Sequence, residues 1–281
     1  MKSKILFLVT ILCINNLYAE RICFYGSADF CEGEKYYVYA DIANVRVVPV
    51  ATSEISCKLS AGQEIIVVAV YDKENDAEID GVRGQWLYIN TTDGTNREGW
   101  LWSNTLSPKQ LRRGNTKIVF GIDKVTEEVC KYTFKAVDNG KIVDRKSVNI
   151  NIISDGYMFN EAKIFDNISL ENVKCVAYFS IGGNACGSGH NGLYFAWLDE
   201  TKKLVELPKV WSMGDACAVS YGEALYIPNE TNGGIYNLLV KVTESGIPPD
   251  DDLDCDYTKW GWEYKTELFK WNGEKAVQIK N

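Results

Sequence analysis

Ile42-Ala43-Asn44-Val45-Arg46, Leu59-Ser60-Ala61-Gly62, Trp86-Leu87-Tyr88-Ile89 and Gly99-Trp100-Leu101-Trp102, closing at Leu106, are the segments whose reading decides the fold. Each is a short run of β-branched or aromatic residues next to turn formers, the mark of strands rather than helices. Asn44 to Val47 reads as one strand ended by Pro49, because proline cannot donate to a ladder. Ile65 to Val70 is a continuous apolar run, expected of a strand buried on both faces. Asp72 to Gly84 is polar and reads as a long loop. Trp86 to Asn90 and Gly99 to Trp102 are two further strands, joined by a turn that holds Asp93-Gly94.

Strand signals continue to the end of the chain. Pro108 to Asn115, with Arg112-Arg113-Gly114, reads as a linker, placed at 109–115. Beyond it come Lys117 to Ile122, Tyr132 to Val137, Lys141 to Ile153, Cys175 to Ile181, Leu193 to Leu198 and Leu204 to Leu207. Ala224 to Ile227, Leu238 to Val242, Lys265 to Trp271 and Ala276 to Ile279 follow. Asn139-Gly140 and Asn272-Gly273 predict hairpin turns, since both residue types tolerate positive φ. The stretches from Phe134, Phe195 and Phe269 are similar hairpins: aromatic strand, turn, lysine, apolar strand. They predict a compact β-domain over 116–281, either a meander or a propeller, with helix only around Leu170.

The order Asn-Val-Arg, Leu-x-x-Gly, Trp-x-x-Ile, Gly-Trp-Leu resembles the bacterial SH3-type (SH3b) domain, a small β-barrel of exported envelope proteins. The resemblance covers 36–108 and implies an all-β chain: an SH3-like barrel followed by a larger antiparallel β-domain. It also implies a ligand groove lined by surface aromatics, which would place Tyr37, Tyr39 and Trp102 at that groove. Two features depart from the family pattern. Val47-Val48-Pro49 stands where a small residue and glycine commonly precede the proline, and the Asp72–Gly84 loop is longer and more acidic.

The N-terminus points to export. Lys2 and Lys4 precede the apolar run Ile5 to Ile14, and Leu17-Tyr18-Ala19 ends on a small residue before Glu20. That pattern predicts a signal peptide over 1–19, and therefore a periplasmic or secreted protein with no transmembrane segment after cleavage. Losing the two lysines takes the formal net charge from −8 to −10. Acidity of this size excludes nucleic acid, whose phosphates need a basic face. Eight cysteines remain after cleavage: Cys23, Cys31, Cys57, Cys130, Cys175, Cys186, Cys217 and Cys255. An even number in an exported chain predicts disulfides. Cys23 and Cys31 would staple an arm over 20–35. The odd count on each side of residue 110 would require a bridge between the two halves.

His190 is the only histidine. It stands four residues after Cys186 in a glycine-rich loop, a weak candidate for a thiolate–imidazole pair; disulfide pairing of Cys186 is the expected alternative. Asp250, Asp252 and Asp254 offer oxygens to calcium, but the loop lacks the EF-hand glycine and glutamate, so a solvated acidic loop is expected. No zinc motif is present, and Gly187-x-Gly189-x-x-Gly192 precedes a strand where a dinucleotide site needs a helix. No metal or cofactor is expected. Trp100 and Trp102 alternate onto one face, as do Trp260, Trp262 and Tyr264, which suits either a core or a stacking platform for glycan or peptide. The sequence therefore points to a non-catalytic binding protein of the bacterial envelope, with cell-wall peptide or glycan, or an envelope protein, as partner. A cell-wall hydrolase with catalysis in the C-terminal domain, and a secreted inhibitor or immunity protein, are the alternatives.

Overall fold

Leu87, Ile89 and Leu101 are fully buried while Tyr88 and Trp100, their neighbours in sequence, are not. This alternation with period two makes the chain a stack of sheets. The computed structural model describes residues 23–25, 29–71, 77–79, 81–126, 128–151, 158–166, 168–183, 187, 189–215, 219–229, 234–249 and 257–280. Among them the fold is all-β, as the sequence predicts, with two single-turn 3-10 segments at Ser103–Thr105 and Tyr257–Lys259.

β1 (Cys23–Tyr25) and β2 (Asp29–Cys31) form a small ladder that sets Cys23 opposite Cys31. Next come β3 (Lys35–Val38), β4 (Ile42–Arg46), β5 (Ile55–Ser60) and β6 (Glu64–Val70). A two-stranded pair, β7 (Ala77–Ile79) and β8 (Val82–Gly84), precedes β9 (Trp86–Thr91), β10 (Glu98–Trp102) and β11 (Leu106–Ser107). Seven of these make one antiparallel sheet in the order β11-β3-β6-β9-β10-β4-β5. The expected barrel is not closed, because β11 and β5 are unpaired ends of that order. The sheet is nonetheless strongly curled. Laid flat, its two edges would stand about 29 Å apart, yet Leu106 of β11 and Leu59 of β5 share one core with Val45, Ile65 and Leu87.

The second half begins inside the predicted linker: β12 (Leu111–Arg113) pairs with β13 (Thr116–Val125). β14 (Val129–Asp138) and β15 (Lys141–Asn151) complete a four-stranded meander. Asn139 and Gly140 both take positive φ, 48° and 77°, as a two-residue hairpin requires. Then come β16 (Met158–Phe165), β17 (Val173–Gly182), β18 (Gly189–Leu198), β19 (Lys203–Glu206), β20 (Val210–Asp215), β21 (Val219–Tyr226), β22 (Leu238–Ile247), β23 (Gly261–Trp271) and β24 (Ala276–Gln278). They form one sheet, β16-β17-β18-β20-β21-β22-β23-β24, with β19 on the other part of β18. This is a meander, and no propeller blades are present among the described residues.

Three layers result. The inner face of β13–β15 packs on β16–β18 through Phe120, Phe134, Phe179 and Phe195, whose ring centroids lie 4.6–5.9 Å apart. Each ring contributes about 1.5–3 kcal/mol by leaving water. The outer face of β13–β15 receives the curled seven-stranded sheet through Tyr37, Tyr39, Ala61, Val119 and Val137. The long acidic loop is part of this union: Val82 is 1% exposed and belongs to the phenylalanine core. Further expectations are corrected. Val68 is 51% exposed and skipped by a bulge between Val67 and Ala69, so the Ile65–Val70 run is not buried on both faces. Leu170 is buried in a turn, not a helix. β16 and β20 are strands the sequence pattern missed.

The cysteines depart from expectation too. Cys31 is disulfide-bonded, but Cys57, Cys130 and Cys175 carry free thiols. The reason is position. Cys130 faces Val125 and Ile150 at the start of β14. Cys175 lies toward the Asp138 end, where Arg113 bonds Asp166 at 3.1 Å. Eight strand residues span about 27 Å, whereas a disulfide needs Cα atoms within about 7 Å. Cys57 sits across the stack on β5. Cys57, Cys130 and Cys175 therefore do not join the halves, which pack on each other through the non-covalent contacts of Tyr37, Tyr39, Val119 and Val137. Cys186, Cys217 and Cys255 lie outside the described residues.

Candidate ligand-binding cleft

The three residues expected at a ligand groove are buried instead. In β3 the side chains alternate, so Tyr36 and Val38 enter the core of the curled sheet while Tyr37 points the other way, onto β13–β15. Tyr39 follows the same side. Lys117 lies 4.5 Å over the Tyr37 ring and donates to the Gly62 carbonyl at 2.6 Å. Lys135, only 5% exposed, lies 3.9 Å over the Tyr39 ring. Its Nζ donates to the Tyr39 carbonyl at 3.0 Å and pairs with Asp41 Oδ1 at 3.0 Å. Arg145 reaches the other Asp41 oxygen at 2.6 Å. Burial resists ionisation of Asp41, but hydrogen bonds from Arg145 and Lys135 outweigh it and hold the carboxyl below its usual range.

The Tyr39 hydroxyl donates to Asp123, whose other oxygen accepts from Thr133 Oγ1 at 2.5 Å. Burial, then the Asp123 hydrogen bond and charge, push the Tyr39 phenol well above its ordinary value. Gly121 makes room for this ring, because a Cβ there would come within 2.6 Å of Tyr39 Cδ1. These tyrosines are joint residues. Trp102 is 6% exposed, edge-on to Trp86 at 5.5 Å, and its Nε1 is buried with no hydrogen-bond partner.

The other predicted sites stand as follows. His190 is the second residue of β18, paired with Gly182 and Ser212, rather than lying in a loop. Its Nδ1 is 3.2 Å from Asn160 Nδ2. Cys186 and the carboxylates Asp250, Asp252 and Asp254 fall outside the described residues. Among the described residues no group of three His, Cys, Asp or Glu side chains is placed to hold a metal, and no helix is long and apolar enough to cross a membrane.

What the stacking creates is a cleft of about 560 Å³ at the joint, within the usual range of ligand sites. Three separate segments line it: Glu34–Tyr36 entering β3, Pro108–Gln110 leading into β12, and Phe159–Asn160 of β16. Phe159 packs against both cores and lies 5.1 Å from Phe120. A bulge between Phe159 and Glu161 skips Asn160 in the ladder and leaves it exposed; bulges commonly re-aim a side chain at such places. Lys35 is held by Glu64 at 3.0 Å. Gln110 Nε2 is buried with no hydrogen-bond partner. The lining thus combines two carboxamides, ammonium and carboxylate groups, and apolar rings.

Sequence reasoning missed these residues, and also Tyr71 and Tyr88, which join Trp100, one of the residues it offered as a core or stacking platform. The last three form a partly exposed aromatic group, with centroids 5.3 and 5.2 Å from Trp100. A signal for them was present: Leu87, Ile89 and Leu101 claim the inward positions, so Tyr88 and Trp100 must point out. No family model matches the chain, and no curated protein or solved structure matches it.

Proposed function

We propose that this chain is an exported, non-catalytic binding protein of a bacterial cell envelope, which holds a peptide segment of the cell wall in the joint cleft. The cleft is the observation that carries the reading. Carboxamides such as Gln110 and Asn160 donate and accept together, which matches the alternating N–H and C=O groups of a main chain. Phe159, Tyr36 and Pro108 give apolar contact, and Lys35 and Lys109 suit peptide carboxylates. Because the walls come from both halves, the clamp around Tyr39 and Lys135 holds the cleft open before a ligand arrives and lowers the ordering cost of binding. The signal-like N-terminus and the likeness of residues 36–108 to an envelope domain support the cellular setting.

The test is sedimentation of the mature protein with purified peptidoglycan, with zymography in parallel. Retention without clearing is expected, and Asn160→Trp, which fills the cleft, lowers retention about tenfold. Clearing of the gel would favour the hydrolase instead. Equal retention of Asn160→Trp would remove the cleft from the reading.

A further inference from the structure

The sheet that begins at β16 ends in a ribbon, β20 to β23, with two unlike faces. Register pairs run without a shift from Ser220↔Gly246 to Tyr226↔Val240, and from Leu238↔Lys270 to Ile247↔Gly261, so paired residues share a face throughout. One face carries Leu225 and Leu239, 8% and 0% exposed, and packs into the core around Trp271. It also holds the Glu223 carboxylate, which bonds Lys241 Nζ, Tyr221 and the Trp211 amide at 2.8–2.9 Å. The opposite face is exposed at several of its described residues. On it stand Tyr226 at 58% exposure, Tyr264 at 67%, and the partly exposed Trp262.

We propose that this open face is a second binding surface, and that it takes an extended, neutral, β-1,4-linked polysaccharide laid across Trp262, Tyr264 and Tyr226. Trp262 lies across its neighbouring strand: a Cβ at Gly246 would come within 2.7 Å of its ring. Trp260, 5% exposed, stacks near-parallel to it at 5.9 Å and 22°, so the indole is already fixed and loses little freedom on binding. Tyr264 stands two residues further along the same face, about 7 Å away. Tyr226 lies two strands over and four residues along, roughly 17 Å from Tyr264. Between the two tyrosines the floor is small or aliphatic: Gly222, Ala224, Val242 and Thr266. A line of rings over a flat floor of this length fits a ribbon-like sugar chain, whose ring faces are apolar, better than one compact side chain.

Charge decides the class of polymer. Lys241, Lys265 and Glu267 belong to the other face by register; the open face carries one acid, Glu244, which accepts from Tyr264 at 3.3 Å, and one base, Lys270 beyond Leu268, so its own charges balance. The exposed Glu244 carboxylate can take a sugar hydroxyl, a face without net charge suits a neutral polymer, and the chain's net acidity repels an anionic one.

The probe is insoluble chitin, a glycan that carries no peptide, incubated with the mature full-length protein. The proposal expects wild type to be depleted from solution and Tyr264→Ala to lose about tenfold in retention, as for one stacked ring. Asn160→Trp in the cleft should be retained like wild type, which separates this surface from the cleft reading. Wild type left in solution, or Tyr264→Ala retained undiminished, would overturn it; the high exposure of Tyr264 means its removal leaves the fold intact.

Discussion

Replacing Lys135 with methionine keeps most of the buried stem but removes the ammonium that ties the curled sheet to β13–β15. Three interactions are lost: the bond to the Tyr39 carbonyl at 3.0 Å, the contact over its ring at 3.9 Å, and the pair with Asp41 at 3.0 Å. A hydrogen bond from a charged donor contributes about 1.5–3 kcal/mol, and a desolvated cation–π contact about 0.5–2 kcal/mol. Two effects reduce the total. The Asp41 side chain is 48% exposed and keeps Arg145 as a partner, so its pair with Lys135 is screened. The substitution also removes the desolvation cost of a buried ammonium. The net expectation is about 2–3 kcal/mol of destabilisation, or roughly 4–10 °C in Tm for a chain of this size. Urea unfolding followed by tryptophan fluorescence reads it, since Trp86 and Trp100 report on one half and Trp197 and Trp271 on the other. A second arm combines Lys135→Met with Asp41→Asn, and non-additivity is expected because the two groups touch. A loss under about 0.5 kcal/mol, with strictly additive effects, would refute the claim that this lysine clamps the halves together.

Gly121→Ala should cost about 1–3 kcal/mol by overpacking, because the new methyl meets the Tyr39 ring at 2.6–2.9 Å; Tyr39→Leu beneath it should recover part of that loss in the same unfolding assay. Asp41 sets a pH dependence. Its folded pKa lies below the ordinary 3.8, so its contribution is present above that value and fades as pH falls through the folded pKa; the stability gap between wild type and Asp41→Asn should narrow below pH 3.8 in acid titrations followed by circular dichroism. Burial pushes the Cys130 and Cys175 thiols up to about 12. Both should resist iodoacetamide at neutral pH in the native protein and react in denaturant, as read by mass spectrometry, and a peptide cross-linked through either would contradict their free state.

The alternation of apolar and polar residues determined the strands, because burial of one sheet face imposes period two on the chain wherever it occurs. Asn139-Gly140 determined its hairpin for an equally local reason, since both residues accept positive φ. β16 escaped notice: Asn160-Glu161-Ala162-Lys163 carries no strand signal, and its place between solvent and β17 comes from the sheet edge it completes. Tyr37 and Tyr39 show what only tertiary structure could decide. Their alternation said that they leave the core of their own sheet, but whether that outer face meets solvent or another sheet depends on contacts across about a hundred residues, with Lys135 and Arg145. Two of the free cysteines have the same cause: their number suggested pairing, and the distance along β14 keeps Cys130 from Cys175. The cleft was invisible for this reason as well. Its walls come from residues near 35, 109 and 160, which nothing in a one-dimensional pattern joins, and the stacking of three layers brings them together.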